Sequence, residues 1–176
     1  TRSASLRQLQ ASISQYEEKN YGLVIDKAMD LVDLSVRSFS IQPLSDNDIL
    51  IEVHASAINF PDAMCINGLY PTQPAYPYVC GFEVSGVVKA VGEGVDTIQV
   101  GDEVMALAGA NLGGHARYVT VAYHHAIVKP RFMSFEEAAS MPVIFSTVLY
   151  AFEQAQLGSR ESMLIQTASG GCGLAA

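Results

Sequence analysis

The chain has 176 residues, 49% of them hydrophobic, and carries 10 Lys and Arg against 18 Asp and Glu for a formal net charge of -8. That is enough apolar material for one core and part of a second, while the acidic balance and the lack of any basic run argue against nucleic acid or an anionic membrane as partner. No apolar stretch approaches the about twenty residues of a membrane span, no secretory pattern opens the chain, and Cys65, Cys80 and Cys172 are widely spaced in no metal-like pattern. A cytoplasmic protein with reduced thiols is expected.

Residues 1–20 are polar, with Leu6, Leu9, Ile13 and Tyr16 at helical spacing, and read as a linker carrying a short amphipathic helix. From Tyr21 the hydrophobic period changes to two. Strands are expected at 21–25, 34–41, 49–57, 84–91, 103–107, 116–121 and 126–128, punctuated by Pro43, by Ser45-Asp46-Asn47-Asp48 and by glycine turns at 92–94, 101 and 113–114. Short strands at this spacing describe a compact antiparallel barrel. Near residue 134 the pattern becomes helical: Ser134-Phe135-Glu136-Glu137 is a capping box for a helix through Ser140, and Pro142 suits the first turn of a second helix reaching about Gln156.

Ser162–Gln166 then reads as a strand leading into Thr167-Ala168-Ser169-Gly170-Gly171-Cys172-Gly173 and the start of another helix. Strand, glycine-rich turn and helix start form the opening of a dinucleotide-binding unit, where backbone N–H groups approach a pyrophosphate. The rest of such a unit would need well over a hundred further residues, and the first residue is Thr1, so the expectation is a piece cut from a longer enzyme where its cofactor site begins. The organisation expected is a linker over 1–20, a β-rich lobe over 21–130, and crossing helices plus the first strand and turn of a Rossmann lobe over 131–176.

Several segments resemble the medium-chain dehydrogenase/reductase superfamily in order along the chain. Ala57-Ile58-Asn59-Phe60-Pro61-Asp62 is similar to its active-site turn, Gly81-Phe82-Glu83-Val84-Ser85-Gly86-Val87-Val88 to its GxExxGxV segment, and Val91–Val95 with Val100–Val104 to its paired VGxGV and GDxV turns. Gly113-Gly114-His115-Ala116-Arg117-Tyr118 resembles its GGxAEY strand, and Ala138-Ala139-Ser140-Met141-Pro142 the helix crossing between lobes. The resemblance implies a mostly β, GroES-like barrel followed by the beginning of an α/β Rossmann lobe.

The zinc-dependent branch of that superfamily holds its catalytic metal with Cys and His ligands. The matching positions here are Asn59, Phe82 and Val143, and an amide, a phenyl ring and an isopropyl group cannot form that site. His54, His115, His124 and His125 read as packed or solvated imidazoles. No metal is therefore expected. Zinc-free members resemble quinone oxidoreductases and synthase enoyl reductase domains, and Pro142–Ala151 is similar to the PVxFxTxxYA segment of the latter.

The reading implied is an enoyl reductase domain of a polyketide synthase. It would use NADPH to reduce an enoyl thioester carried on an acyl carrier protein, and a homodimer is compatible with the resemblance. The alternatives are a free-standing NADPH-dependent quinone oxidoreductase or a non-catalytic binding member. By resemblance Asn59 and Thr147 lie against the nicotinamide, and Ala168, Ser169, Gly170, Gly171 and Gly173 line the pyrophosphate. Asn59 also reads as a turn residue tolerant of unusual backbone angles, and Thr147 as a helix hydroxyl bonded to the preceding turn. Many synthase domains carry a Tyr after the Asn; here Phe60 has no exchangeable proton, so the catalytic donor is unassigned. Tyr70, Tyr76 and Tyr78 read as loop tyrosines covering the barrel, and Asp62 and Glu83 as hydrogen-bond acceptors supporting the site.

Overall fold

Alternating apolar residues from Tyr21 onward build two antiparallel sheets in the computed structural model, which describes residues 11, 13–72 and 74–176. The strands are β1 (Tyr21–Ile25), β2 (Val36–Ser38), β3 (Asp48–Ser56), β4 (Tyr78–Val79), β5 (Glu83–Val91), β6 (Glu103–Leu107), β7 (Tyr118–Ala122) and β8 (Ala126–Val128). The helices are α1 (Phe60–Ile66), α2 (Phe135–Ala139), α3 (Pro142–Gln154) and α4 (Gly171–Ala175). One sheet runs β7-β3-β5-β6-β8, the other β2-β1-β4, and a bridge between Gly22 and Ala116 links them. Among the described residues these ladders do not close into a ring, so the expected barrel is two open sheets.

Strand β3 is covered on both faces, which is why it reads Ile49-Leu50-Ile51 rather than strictly alternating. Ile49 and Ile51 join Val84, Val88, Val104 and Val121 in the main core, while Leu50 points into a second cluster with Ile41, Leu44, Ala90 and Tyr118. That second cluster also contains Ile13, which is fully buried, and the Tyr16 ring sits 5.0 Å from Tyr118. Buried Asn20 donates to the Phe39 carbonyl at 3.0 Å and accepts from the Tyr118 N–H at 3.1 Å. Residues 13–20 are therefore docked on the β lobe rather than serving as linker, because their apolar face covers a sheet face that would otherwise meet water. Leu6 and Leu9 lie outside the described residues.

The strand expected over 34–41 shrinks to Val36–Ser38, which pairs with β1 alone and buries none of its residues. Further on, α2 opens on the expected capping box: Glu137 N–H donates to Ser134 Oγ at 3.1 Å, and the Ser134 N–H to Glu137 Oε2 at 2.8 Å. The start of α2 and the turn before it are tied to the large sheet. The Ser85 hydroxyl donates to the Phe135 carbonyl, and the buried Lys129 ammonium bonds the Met133 carbonyl at 2.7 Å and Glu103 at 2.9 Å. The crossing helix α3 starts directly after this clamp, with Pro142 in its first turn as expected.

Ser162–Gln166 forms no strand. A strand requires a ladder, and this stretch has no hydrogen-bonded neighbour among the described residues, leaving Leu164 90% exposed. No helix among them is long and apolar enough to cross a membrane.

Candidate functional site

The site is assembled where β3 ends. Asn59 caps α1, with φ -118 and ψ 158, an ordinary extended conformation, so the backbone does not demand Asn there. Pro61 occupies the first turn, where its missing N–H costs nothing. Asp62, at the third helical position, accepts from the Asn59 backbone N–H at 2.7 Å. That leaves the Asn59 side chain for a distant partner, and its amide donates to Glu83 Oε1 at 2.7 Å.

Glu83 is 1% exposed and opens β5. Its second oxygen accepts from the Val143 N–H at 2.7 Å. The first N–H groups of a helix have no partner within the helix, and a carboxylate there also meets the favourable end of the helix dipole. One buried carboxylate thus ties the Asn59 turn to the first turn of α3. Burial pushes the Glu83 carboxyl above its usual range, with the Asp62 charge adding to it and the bonds from Asn59 and Val143 opposing.

Asp62 is shifted the other way. Burial alone would raise it, but the His115 hydrogen bond, the Asn59 N–H, the His115 charge and the Cys80 thiol together hold it below the ordinary carboxylate range. His115 Nε2 lies 3.4 Å from Asp62 Oδ1, Cys80 Sγ donates to that oxygen at 3.3 Å, and Ser56 Oγ is 3.0 Å from His115 Nδ1. Burial pushes the Cys80 thiol up and the Cys65 thiol to about 11, so neither presents a thiolate near neutrality. His115 proves packed and hydrogen-bonded, whereas exposed His54 stacks on Phe135 at 4.4 Å and His124 and His125 are exposed at the surface.

The Gly81 turn brings these groups together. Gly81 has φ +110, and a Cβ there would meet the His115 backbone nitrogen at 2.4 Å, so this position, two residues before β5, must lack a side chain for the His115 backbone to approach.

The other expected site residues are placed as follows. Phe82 packs in the core edge-on to Tyr70 at 5.4 Å, and the Val143 side chain has no donor atom. Among the described residues no three His, Cys, Asp or Glu side chains are grouped to hold a metal ion. Phe60 is 79% exposed. Thr147 is exposed on α3 and its hydroxyl donates to the Val143 carbonyl at 2.7 Å, one turn back. Buried Tyr78 donates to the Cys65 carbonyl at 2.9 Å, which holds its hydroxyl in the core.

In the glycine turn Ala168, Ser169 and Gly171 are exposed and Gly170 caps α4. A Cβ on Gly173 would lie 2.5 Å from Ala168 Cα, so only glycine lets the helix start fold back onto the turn. A Cβ on Gly171 would meet Ile144 Cγ2 at 3.2 Å, which sets the turn beside the α3 residue that follows Val143. The structure therefore gathers Asn59, Glu83, the α3 N-terminus and the glycine turn along one seam.

Sequence reasoning missed α1, although Asn59, Pro61 and Asp62 form a cap, first-turn and third-position signal. It also missed the roles of Ser56 and His115. Those contacts join residues about sixty positions apart, and nothing local in the sequence marks them.

Residues 45–131 match the alcohol dehydrogenase GroES-like domain. The chain is 39% identical over 134 residues to the synaptic vesicle membrane protein VAT-1 homolog of Danio rerio, covering 76% of this chain and 27% of that protein. It is 39% identical over 138 residues to probable polyketide synthase 1 of Dictyostelium discoideum, covering 75% of this chain and 4% of the synthase. Among solved structures, CurK enoyl reductase superimposes with a TM-score of 0.73 at 30% identity, covering 88% of this chain and 49% of that one. The Escherichia coli quinone oxidoreductase complexed with NADPH gives a TM-score of 0.74 at 29% identity, covering 88% and 47%. The chain thus spans about half of these solved relatives, and a smaller share of the two curated ones. Residues 45–131 thus belong to the alcohol dehydrogenase GroES-like domain family, and the chain's homologues and structural neighbours include polyketide synthases and zinc-independent quinone oxidoreductases of the medium-chain dehydrogenase/reductase superfamily.

Proposed function

We propose that this chain forms the substrate-side lobe and the opening of the cofactor-binding lobe of an NADPH-dependent enoyl reductase of the polyketide synthase type. Its substrate would be an α,β-unsaturated thioester carried on an acyl carrier protein. The observation that carries this reading is the Asn59–Glu83–Val143 bridge, with both bonds at 2.7 Å. Where a zinc-dependent relative needs metal-ligating side chains, this chain has a preorganised amide held by a buried carboxylate.

The residues present fit a dinucleotide. The turn tip at Ala168 and Ser169 is exposed, and Gly173 leaves no room for a Cβ beneath it. Ala168, Ser169, Gly170, Gly171 and Gly173 would hold the pyrophosphate, with Asn59 and Thr147 against the nicotinamide. When bound, the cofactor supplies the hydride that reaches the substrate β carbon. Asn59 would then be a fixed donor beside the reacting atoms, kept from rotating by Glu83. The α carbon also needs a proton, and Phe60 has none to give while the Tyr78 hydroxyl is committed to Cys65. Neither Phe60 nor Tyr78 is therefore the proton donor.

NADPH consumption with a crotonyl thioester tests this reading, using the whole protein that contains the chain. Turnover of the thioester supports it; turnover of quinones but never of enoyl thioesters overturns it in favour of a quinone reductase. One observation favours that second reading. Phe60, at 79% exposure, presents an apolar aromatic surface beside Asn59 on which a flat quinone would stack, and reducing a quinone needs no protonation at carbon.

A further inference from the structure

The chain of contacts through Asp62 does not stop at the Asn59 turn. It begins at a surface hollow of about 280 Å³ lined by residues including Tyr21, Ser56, His115 and Arg117. From there it runs Ser56 Oγ to His115 Nδ1 at 3.0 Å and His115 Nε2 to Asp62 Oδ1 at 3.4 Å. Asp62 Oδ2 takes the Asn59 N–H at 2.7 Å, the Asn59 amide reaches Glu83 at 2.7 Å, and Glu83 holds the Val143 N–H at 2.7 Å. A continuous polar line thus connects solvent at one side of the β lobe to the first turn of α3.

We infer that Ser56 and His115 are positioning residues for Asn59, acting through Asp62. Its consequence for turnover rests on the reading of Asn59 as a neighbour of the nicotinamide.

The His115 main chain is anchored, its backbone N–H bonding the Cys80 carbonyl at 2.8 Å and its carbonyl accepting from the Leu23 N–H at 2.9 Å. A neutral imidazole carries one proton, and the partner of one nitrogen decides which nitrogen has it. Ser56 has a proton to donate, and Asp62, ionised and nearly fully buried, can only accept. The arrangement that satisfies both sends the Ser56 proton to Nδ1 and leaves Nε2–H facing Asp62. Asp62, able only to accept, therefore selects the Nε2–H tautomer, Ser56 supports it by donating to Nδ1, and Asp62 in turn fixes the Asn59 backbone.

The test is nuclear magnetic resonance on the 176-residue chain labelled with nitrogen-15, without cofactor or substrate. With the imidazole neutral, the His115 ring is expected to show an unprotonated Nδ1 and a protonated Nε2. In Ser56→Ala, Nδ1 loses its donor, so its resonance should shift and the Asn59 side-chain amide resonance should move with it at constant pH. An Nδ1–H tautomer in the wild-type chain, or an Asn59 resonance unmoved in Ser56→Ala, overturns the inference. Should Ser56→Ala fail to fold, the wild-type tautomer decides alone. Because nothing is turned over, a wrong reaction assignment leaves these signals where they are, and the two readings fail separately.

Discussion

The β lobe and the segment from α3 onward follow opposite rules of burial. In the β lobe, Ile49, Leu50, Ile51, Val84, Val88 and Val104 are wholly buried, and its two sheets enclose their own cores. In α3 only Val148 is buried, Leu149 and Tyr150 are 64% and 63% exposed, and no residue after Gln154 is buried. Stability follows apolar area removed from water, so the β lobe carries the fold while the helical segment is held by a few polar seams. The candidate site lies on the boundary: the β lobe supplies Asn59, Asp62 and Glu83, and Glu83 reaches across to Val143.

Ile51→Ala should separate the two regions most sharply. The side chain is fully buried in the main core, and the loss should be about 2–5 kcal/mol in urea unfolding. A loss no larger than that of an exposed site would break the comparison.

Glu83→Gln acts at the seam. Asn59 and Val143 both donate to this side chain, and an amide offers one acceptor and one donor, so one side is left donor to donor. The expected cost is about 1–3 kcal/mol. Amide exchange at Val143 should speed up before exchange in β3 does, which would show the helix uncoupling from the sheet.

Acid should reveal the two carboxylates in opposite senses. Asp62 is held below its usual range, so its contribution is complete above the unfolded-state value of about 3.9 and is lost as the pH falls through its lowered folded value. Glu83 is raised, so its contribution is complete below about 4.3 and is lost as the pH climbs through its raised folded value. Unfolding free energies measured against pH should therefore lose their acid-side fall in Asp62→Asn, and should decline less above that range in Glu83→Gln. An unchanged profile in both would break the electrostatic side of the comparison.

The smallest effect belongs to the exposed helix. Leu149→Ala should change stability by no more than about 0.5 kcal/mol, and a larger loss would show that this face is covered.

Local chemistry was readable wherever it was also sufficient. Strands β1, β6 and β8 start and stop where period-two alternation and glycine turns place them, and the Ser134–Glu137 capping box forms as written. Reading faltered where an element depends on distant covering. Ile13 and Tyr16 show the spacing of a surface helix, but only the sheet face around Leu50 and Tyr118 turns that spacing into docked structure. Ser162–Gln166 has the composition of a strand and no ladder to join.

At the site, the residue types at 59, 82 and 143 and the glycine turn were legible, because a side chain either has donor atoms or lacks them and a tight turn demands glycine. The sequence by itself determined the superfamily pattern, the donor chemistry available at those positions and the order of the elements. Only the tertiary structure decided that Glu83 bridges Asn59 to α3, and that Ser56 and His115 stand behind Asp62. A hydrogen bond depends on distances of about 3 Å, and no local rule sets that distance between residues sixty positions apart until the core has closed around them.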